Sequence, residues 1–287
     1  MLPAVATGKG SAGAAKAKKA TAKKAPARKG DSKGAGGKSS NGAAGSTAEV
    51  KSVAELVEAL SARPDKEIVW YRGHNDANHP LIPSLARPPK SVDAEMTLVK
   101  RFRQNAYPFL EMSPRTEWDW LFLMQHHGVP TRLLDWSDSP LVALWFAMQG
   151  GSDQDDACIW ALQPVELNKL ANLDPDFAAD IPLFGQDKEL DSYLPTQLPA
   201  TIASLKPIAG IASRQFTRVV AQMGSFTITH KEQPPLQDVA DGCLTQYVVP
   251  AGSKKGIRKE LRYLRMTTLS VFPELANVKE LAEEGLW

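Results

Sequence analysis

The sequence predicts an α+β fold over residues 49–287, preceded by a disordered basic tail over residues 1–48. Three observations carry this expectation. Stretches with strand character and stretches with helical periodicity follow one another without a regular strand–helix–strand beat, which disfavours a doubly wound parallel sheet. The 287 residues are 43% hydrophobic and 23% charged, an ordinary globular balance that can bury a core. The tail has almost no apolar side chain larger than alanine, so it cannot offset the entropy of being ordered.

The elements follow in order. Ser52 is placed as an N-cap, with Glu55 at capping-box spacing and Val53, Leu56, Val57 and Leu60 on one helical face. Ile68 to Tyr71 reads as a strand that ends at Arg72-Gly73 before a polar loop. Residues 94–110 and 117–127 read as helices, the first with Met96, Leu98, Val99 and Phe102 as its apolar side. Trp118, Leu121, Phe122 and Met124 form the apolar side of the second. Pro130 breaks the helical pattern, and Leu133-Leu134 lead into a short extended piece. Ser139-Pro140 supplies an N-cap and a first-turn proline for a helix from Leu141 to Met148 that is apolar almost all round and should be buried. Gly150-Gly151 ends it. Ala157 to Leu162 is an apolar run of strand length, and residues 163–210 are proline-rich and irregular. Phe216 to Val220, Gly224 to Thr229 and Leu244 to Val249 read as strands, residues 253–265 as a basic helix, and Pro273 to Trp287 as a closing helix.

The net charge of +2 conceals a split: residues 1–48 hold nine lysines and Arg28 against Asp31, a net +9, which leaves −7 for the rest. The tail is either a solubilising segment or a weak, sequence-independent nucleic-acid contact through residues 9–38, with no base-reading chemistry. The cations at Lys254, Lys255, Arg258, Lys259, Arg262 and Arg265 read as the solvated face of a helix, with a nucleic-acid contact as the alternative. Cys158 and Cys243 lie in no metal spacing and are expected to be buried, reduced thiols. No apolar run approaches the roughly 20 residues of a membrane span, and the N-terminus has no apolar signal core, so a cytoplasmic protein without membrane contact is expected.

Four constellations could carry chemistry. An arginine beside a strand, Arg72, suits a bidentate grip on a carboxylate or phosphate, and Gly73 permits close approach of backbone or ligand. His126 and His127 point about 100° apart on a helix, so a metal pair is not expected; one of them is a hydrogen-bonding group near a site. Thr131-Arg132-Leu133-Leu134-Asp135-Trp136 offers an Arg132–Asp135 pair, a cap or base at Asp135, and a flat apolar ring at Trp136. Arg218 and Gln222 share one face of a strand, where Gln222 is either a recognition contact or a satisfied buried amide.

These pieces, in this order, resemble the FRG domain family. Tyr71-Arg72-Gly73 stands for its Phe-Arg-Gly motif, and Pro83-Ser84-Leu85-Ala86-Arg87 for its Pro-Ser-Leu-x-Arg stretch. Gln125 to Ala147 is similar to its Gln-His-x-Gly-x-Pro-Thr-Arg-Leu-Leu-Asp-Trp signature and the Ala-Leu-x-Phe-Ala helix that follows. Arg218 with Gln222 to Phe226, and Phe272 to Leu275, match its later motifs, so the resemblance runs over residues 52–287. A fainter resemblance is to ADP-ribosyltransferases of the Arg-Ser-Glu type. Arg72 matches the arginine, Leu134 to Ser137 stand where Ser-Thr-Ser is found, Ala143 to Ala147 match the helix, and Gln222 falls near the catalytic glutamate. Two departures bear on activity: the Ser-Thr-Ser is mostly replaced, and Gln222 is an amide that cannot act as a base.

The second resemblance implies a single mixed domain with a largely antiparallel split sheet flanked by helices, and one cleft that binds NAD or a similar phosphate-bearing nucleotide. Arg72, Gly73, Thr131, Arg132, Trp136 and Arg218 would hold that ligand, with Arg72 and Arg132 on phosphate and Trp136 stacked on a ring. Asp135, Gln222 and His126 would stand at the reacting centre of a group transfer such as ADP-ribosylation, with no metal. The alternative is a non-catalytic interaction module, tethered to nucleic acid or another acidic surface by its tail, of the kind found in bacterial defence or toxin systems.

Overall fold

The computed structural model describes residues 47–110, 113–173, 180–201, 203–212, 222–231, 234–240 and 242–283. Its strands are β1 (Thr47–Glu49), β2 (Trp70–His74), β3 (Leu133–Ser137), β4 (Ala157–Leu162), β5 (Ile208–Gly210), β6 (Gly224–Ile228) and β7 (Leu244–Val249). They form one seven-stranded sheet in the order β1-β7-β4-β2-β3-β6-β5. Only β1–β7 is parallel among its pairings. The fold is α+β with a mostly antiparallel open sheet.

One junction in that sheet is weak. β2 pairs with β4 over five residues, and β3 with β6 over five. Between β2 and β3 the single register pair is Tyr71↔Ser137. The two halves therefore share one sheet but splay apart beyond Tyr71.

Helices cover one face on either side of that junction. α3 (Glu117–His126) lies on the β3–β6–β5 half, where Trp118, Leu121 and Phe122 pack with Leu133, Phe226 and Ile208. α4 (Pro140–Ala147) lies on the other half, with Val142, Ala143, Leu144 and Ala147 packed against Tyr71, Ile159 and Tyr247. α1 (Val53–Ser61) and the basic helix α7 (Lys254–Tyr263) extend the same layer through Leu56, Ile257 and Leu261. The opposite face buries Trp70, Leu134, Trp136, Trp160 and Leu162 with Leu167 of α5 (Pro164–Leu170) and Leu236 of α6 (Leu236–Val239).

The end signals act as expected. The Ser52 side chain accepts from Glu55 N at 3.1 Å, while the Glu55 carboxylate reaches one residue further, to Lys51 N. Ser139 caps α4 through Val142 N, with Pro140 in its first turn. α3 ends where Gly128 adopts φ +73°, and Val129 N returns to Met124 O at 2.9 Å. That left-handed turn is one a glycine enters without a Cβ penalty, and it reverses the chain towards β3.

Several expectations change. β2 begins at Trp70 and runs through Arg72-Gly73 to His74, so the arginine is mid-strand and not at its end. Val57 faces solvent, because the core contact of α1 is made by Leu56 with Val53 and Leu60 at its margins. β5 lies inside the stretch read as irregular. β1 starts two residues inside the segment assigned to the tail. The closing helix is instead α8 (Thr268–Val271), a 3₁₀ turn over Leu275–Asn277 and α9 (Val278–Glu283). Lys254, expected on a solvated face, is buried and donates to Asn75 O and Ser152 O at 3.1 and 3.0 Å. Cys158 and Cys243 are buried and form no disulfide, and burial pushes the Cys158 thiol up to about 11. Among the described residues no helix is long and apolar enough to cross a membrane. The tail 1–46, including its proposed contact residues 9–38, the Phe216–Val220 strand and Arg218 lie outside the described residues.

Candidate functional site

A cleft opens over the splay between β2 and β3. One wall is α4, through Val142, Ala143 and Phe146, and the floor is Tyr71, Arg72 and Asp135 to Ser137. Its volume is about 140 Å³. A second hollow of about 60 Å³ adjoins it under α3, lined by Phe122, Gln125 and His126. Asp135, Trp136 and Gln222 line both.

Asp135 is the polar centre. Its side chain is 48% exposed, and Oδ2 accepts from Gln125 Nε2 at 2.7 Å. Gln125 is itself fixed, because its Oε1 accepts from Thr131 Oγ1 at 2.5 Å, and Thr131 Oγ1 accepts from Leu133 N at 3.2 Å. The amide therefore presents its nitrogen, and not its oxygen, to the carboxylate. Arg72 fills the slot between the strands: Nη1 donates to Asp135 O at 2.5 Å and stands 3.7 Å from Asp135 Oδ2. Its Nε donates to His74 Nε2 at 3.1 Å. The arginine thus closes a gap that backbone pairing leaves open, and it places positive charge beside the carboxylate.

Gln222 closes the far end, and Glu274 stands beside His126. His126 Nε2 lies 3.9 Å from Glu274 Oε1. Phe272 packs on Trp145 and Phe146 with ring centroids 5.8 and 5.6 Å away. Gln222 donates to Val271 O at 3.3 Å, and its own carbonyl accepts from Ser137 Oγ at 2.6 Å.

The sequence of this region decides the family: residues 67–156 match the family model of the FRG domain. The chain carries an FRG domain. The match takes in β2, α2 (Glu95–Ala106), α3, β3 and α4, of which β2, α3, β3 and α4 line the cleft and its adjoining hollow, and stops just before β4. Gln222 and the Phe272–Leu275 segment lie beyond it. No curated protein and no solved structure matches the chain.

The residues expected at a site divide into two groups. Arg72, Asp135 and Gln222 line the cleft, and His126 lines the hollow that adjoins it. Arg132 and Thr131 serve the scaffold, as do Trp136 and Gly73, although these two also line the cleft. Arg132 is 0% exposed: Nε donates to Glu95 Oε2 at 2.5 Å, Nη1 to Thr229 O and His230 O, and Nη2 to Tyr193 O. It neither pairs with Asp135 nor can reach a phosphate. Trp136 is buried with its indole N–H on Thr227 Oγ1 at 3.0 Å, so its ring is core and not a stacking platform. Thr131 is buried beneath Gln125 and acts through it. Gly73 is small for the sake of backbone: a Cβ there would meet Ala143 O at 1.9 Å, so α4 and not a ligand takes the space. His127 is exposed beside Phe102, and among the described residues no group of three His, Cys, Asp or Glu side chains could hold a metal.

Gln125, Glu95 and His74 are not among the expected site residues, although Gln125 opens the Gln-His signature; Glu95 and His74 stand outside the family motifs. Gln125 sits on the last turn of a helix that a Gly-Val-Pro turn folds back, which brings residue 125 over residues 131 and 135. Glu95 shares a helical stripe with Val99 and Phe102, and an acid on such a stripe signals a buried partner. His74 lies two residues from Arg72 on the same strand face.

Burial, with the Arg72 charge second, pushes His74 down to about 3, and burial likewise pushes His230 down to about 4. Both imidazoles are neutral in the fold, and His74 accepts from Arg72 while its Nδ1 faces His79 O at 3.1 Å. A histidine whose folded pKa is depressed contributes stability above its unfolded value, about 6.5, that is lost as pH falls towards the folded value. Thermal melts should therefore fall steadily between about pH 6.5 and pH 4. His74→Gln should flatten part of that slope; an unchanged slope would mean that His74 titrates normally.

Proposed function

We propose that the cleft binds a nucleotide-like ligand, NAD being the type, by a ring-and-sugar end. The observation that carries this reading is the half-exposed Asp135 carboxylate, held by Gln125 and Arg72 at the floor of a cleft whose wall is apolar. A carboxylate so fixed can accept from sugar hydroxyls without first ordering its own side chain. Val142, Ala143 and Phe146 offer an apolar surface to a ring. The volume falls below the ~300–1,000 Å³ of pockets that enclose drug-sized ligands, so the phosphates and any second nucleoside would remain outside.

Group transfer of the ADP-ribosylation kind would run through Asp135. Breaking the bond between a sugar and a cationic ring builds positive charge on the sugar, which a neighbouring carboxylate favours. Gln222 can hydrogen-bond there but supplies no charge. Arg72 would keep Asp135 aimed. The other reading, a non-catalytic module, draws on Arg132, which locks the fold and lines neither hollow, and on Trp136, whose ring is held in the core.

Calorimetric titration of the full chain with NAD, ADP-ribose and AMP separates the two. Binding is expected for NAD and ADP-ribose, with Asp135→Asn weakening it at least tenfold, about 1.4 kcal/mol, at an unchanged melting temperature. No heat from any of the three, or an Asp135→Asn chain that binds like the parent, would overturn the nucleotide reading and leave the module.

A further inference from the structure

A second concave surface lies on the other side of α4. A groove of about 500 Å³ runs between α4 and α7. Trp145, Met148, Leu261 and Met266 form its apolar lining, and Arg258 and Arg262 stand along it. It shares no lining residue with the Asp135 cleft.

The basic helix is organised around this groove. Ile257 and Leu261 face the core, and Lys254 is consumed by two backbone carbonyls. Arg258 is engaged as well, with Nε on Met148 O at 3.0 Å and Nη2 on Asp153 Oδ1 at 2.7 Å. Lys255, Lys259 and Arg262 remain on the outer surface, at i, i+4 and i+7 of one stripe. Among the described residues no carboxylate pairs with any of the three. The one acid of the helix, Glu260, is turned inward to Val53 N at 2.7 Å. Tyr263 ends the stripe, 74% exposed, with Lys259 Nζ 5.7 Å from its ring centroid.

Three cations, the outer two seven positions apart, extend about 10 Å along the helix axis, farther than one phosphate needs. Three unbalanced charges, an exposed ring and an apolar groove suit a partner with repeated phosphates and accessible planar bases. An acidic peptide would use the charges but neither the ring nor the groove, and the bases of a duplex are stacked out of reach. We propose that this surface binds single-stranded nucleic acid, its phosphates along Lys255, Lys259 and Arg262, a base in the groove and another against Tyr263. The proposal is independent of any ligand in the Asp135 cleft.

Fluorescence anisotropy tests it with labelled oligo-dT and oligo-U strands of about 12 nucleotides, using the full chain so that the basic tail is constant throughout. Binding is expected to weaken at least tenfold in Lys259→Glu/Arg262→Glu, and the salt slope to fall by roughly 1.4, about 0.7 for each phosphate that is no longer neutralised. Tyr263→Ala should weaken binding about tenfold with the salt slope unchanged. If the double variant unfolds, Lys255→Glu carries the same expectation at half the change in slope. Three results would overturn the proposal: no binding by the parent chain, variants that bind as the parent does, or AMP or duplex DNA that binds as tightly as the single strand.

Discussion

Arg132→Met is expected to destabilise the chain by about 3–5 kcal/mol, the largest loss among single substitutions in the motif segment. Arg132 and Glu95 are 0% and 1% exposed in their side chains and meet at 2.5 Å. Removing the guanidinium leaves the Glu95 carboxylate in the core without its counter-charge. It also strands the carbonyls of Tyr193, Thr229 and His230, in two segments that Arg132 ties to β3. The pH dependence identifies the cause. Burial raises the Glu95 pKa and the Arg132 charge opposes that rise, so the substitution leaves burial to act alone. An acid whose folded pKa is raised stabilises the fold at low pH, and that stability is lost as pH rises through the folded value. Urea titrations should therefore show a larger deficit for Arg132→Met at pH 7.5 than at pH 5. Glu95→Gln should recover part of it in the Arg132→Met background by removing the stranded charge. A deficit under 1 kcal/mol, or one independent of pH, would contradict the buried-pair account.

That substitution also shows why the motif could be read only in part. The elements declared themselves locally: Ser52, Ser139-Pro140 and the Gly128 turn mark helix ends, and Ala157 to Leu162 and Leu244 to Val249 are strands with the expected bounds. The fates of Arg72 and Arg132 were not local. Each stands in or beside an apolar strand, yet one borders a cleft and the other is entombed. The difference lies with Glu95, Tyr193, Thr229 and His230, which are 37 to 98 residues away from Arg132 in sequence. One error had a signal in plain view. Asp135 and Trp136 are adjacent in a strand, so their side chains point to opposite faces, and both could not project into one cleft. Trp136 went to the face with Leu134, and Asp135 to the face under α3 and α4. β5 was hidden for another reason: three residues at a sheet edge, in a proline-rich stretch, carry no measurable periodicity.

Gly73→Ala is expected to cost at least the 1–3 kcal/mol typical of an overpacked core, and to weaken binding in the Asp135 cleft together with stability. The added methyl would lie 1.9 Å from Ala143 O, 2.6 Å from Ala147 N and 2.9 Å from Ala143 C, all of them backbone atoms of α4. No rotamer change can relieve such a clash, so the helix itself must move. α4 has little freedom, since Val142 to Trp145 and Ala147 are buried. Ala143→Gly offers no rescue, because the obstacle is a carbonyl and not a side chain. The helix that must retreat also carries Val142, Ala143 and Phe146, one wall of the cleft. Stability and ligand affinity are thus coupled through one point of packing, and calorimetric binding and urea unfolding should fall together in Gly73→Ala. A chain that unfolds like the parent but no longer binds would place the ligand itself against Gly73. A chain unchanged in both would mean that β2 and α4 stand farther apart than this packing requires.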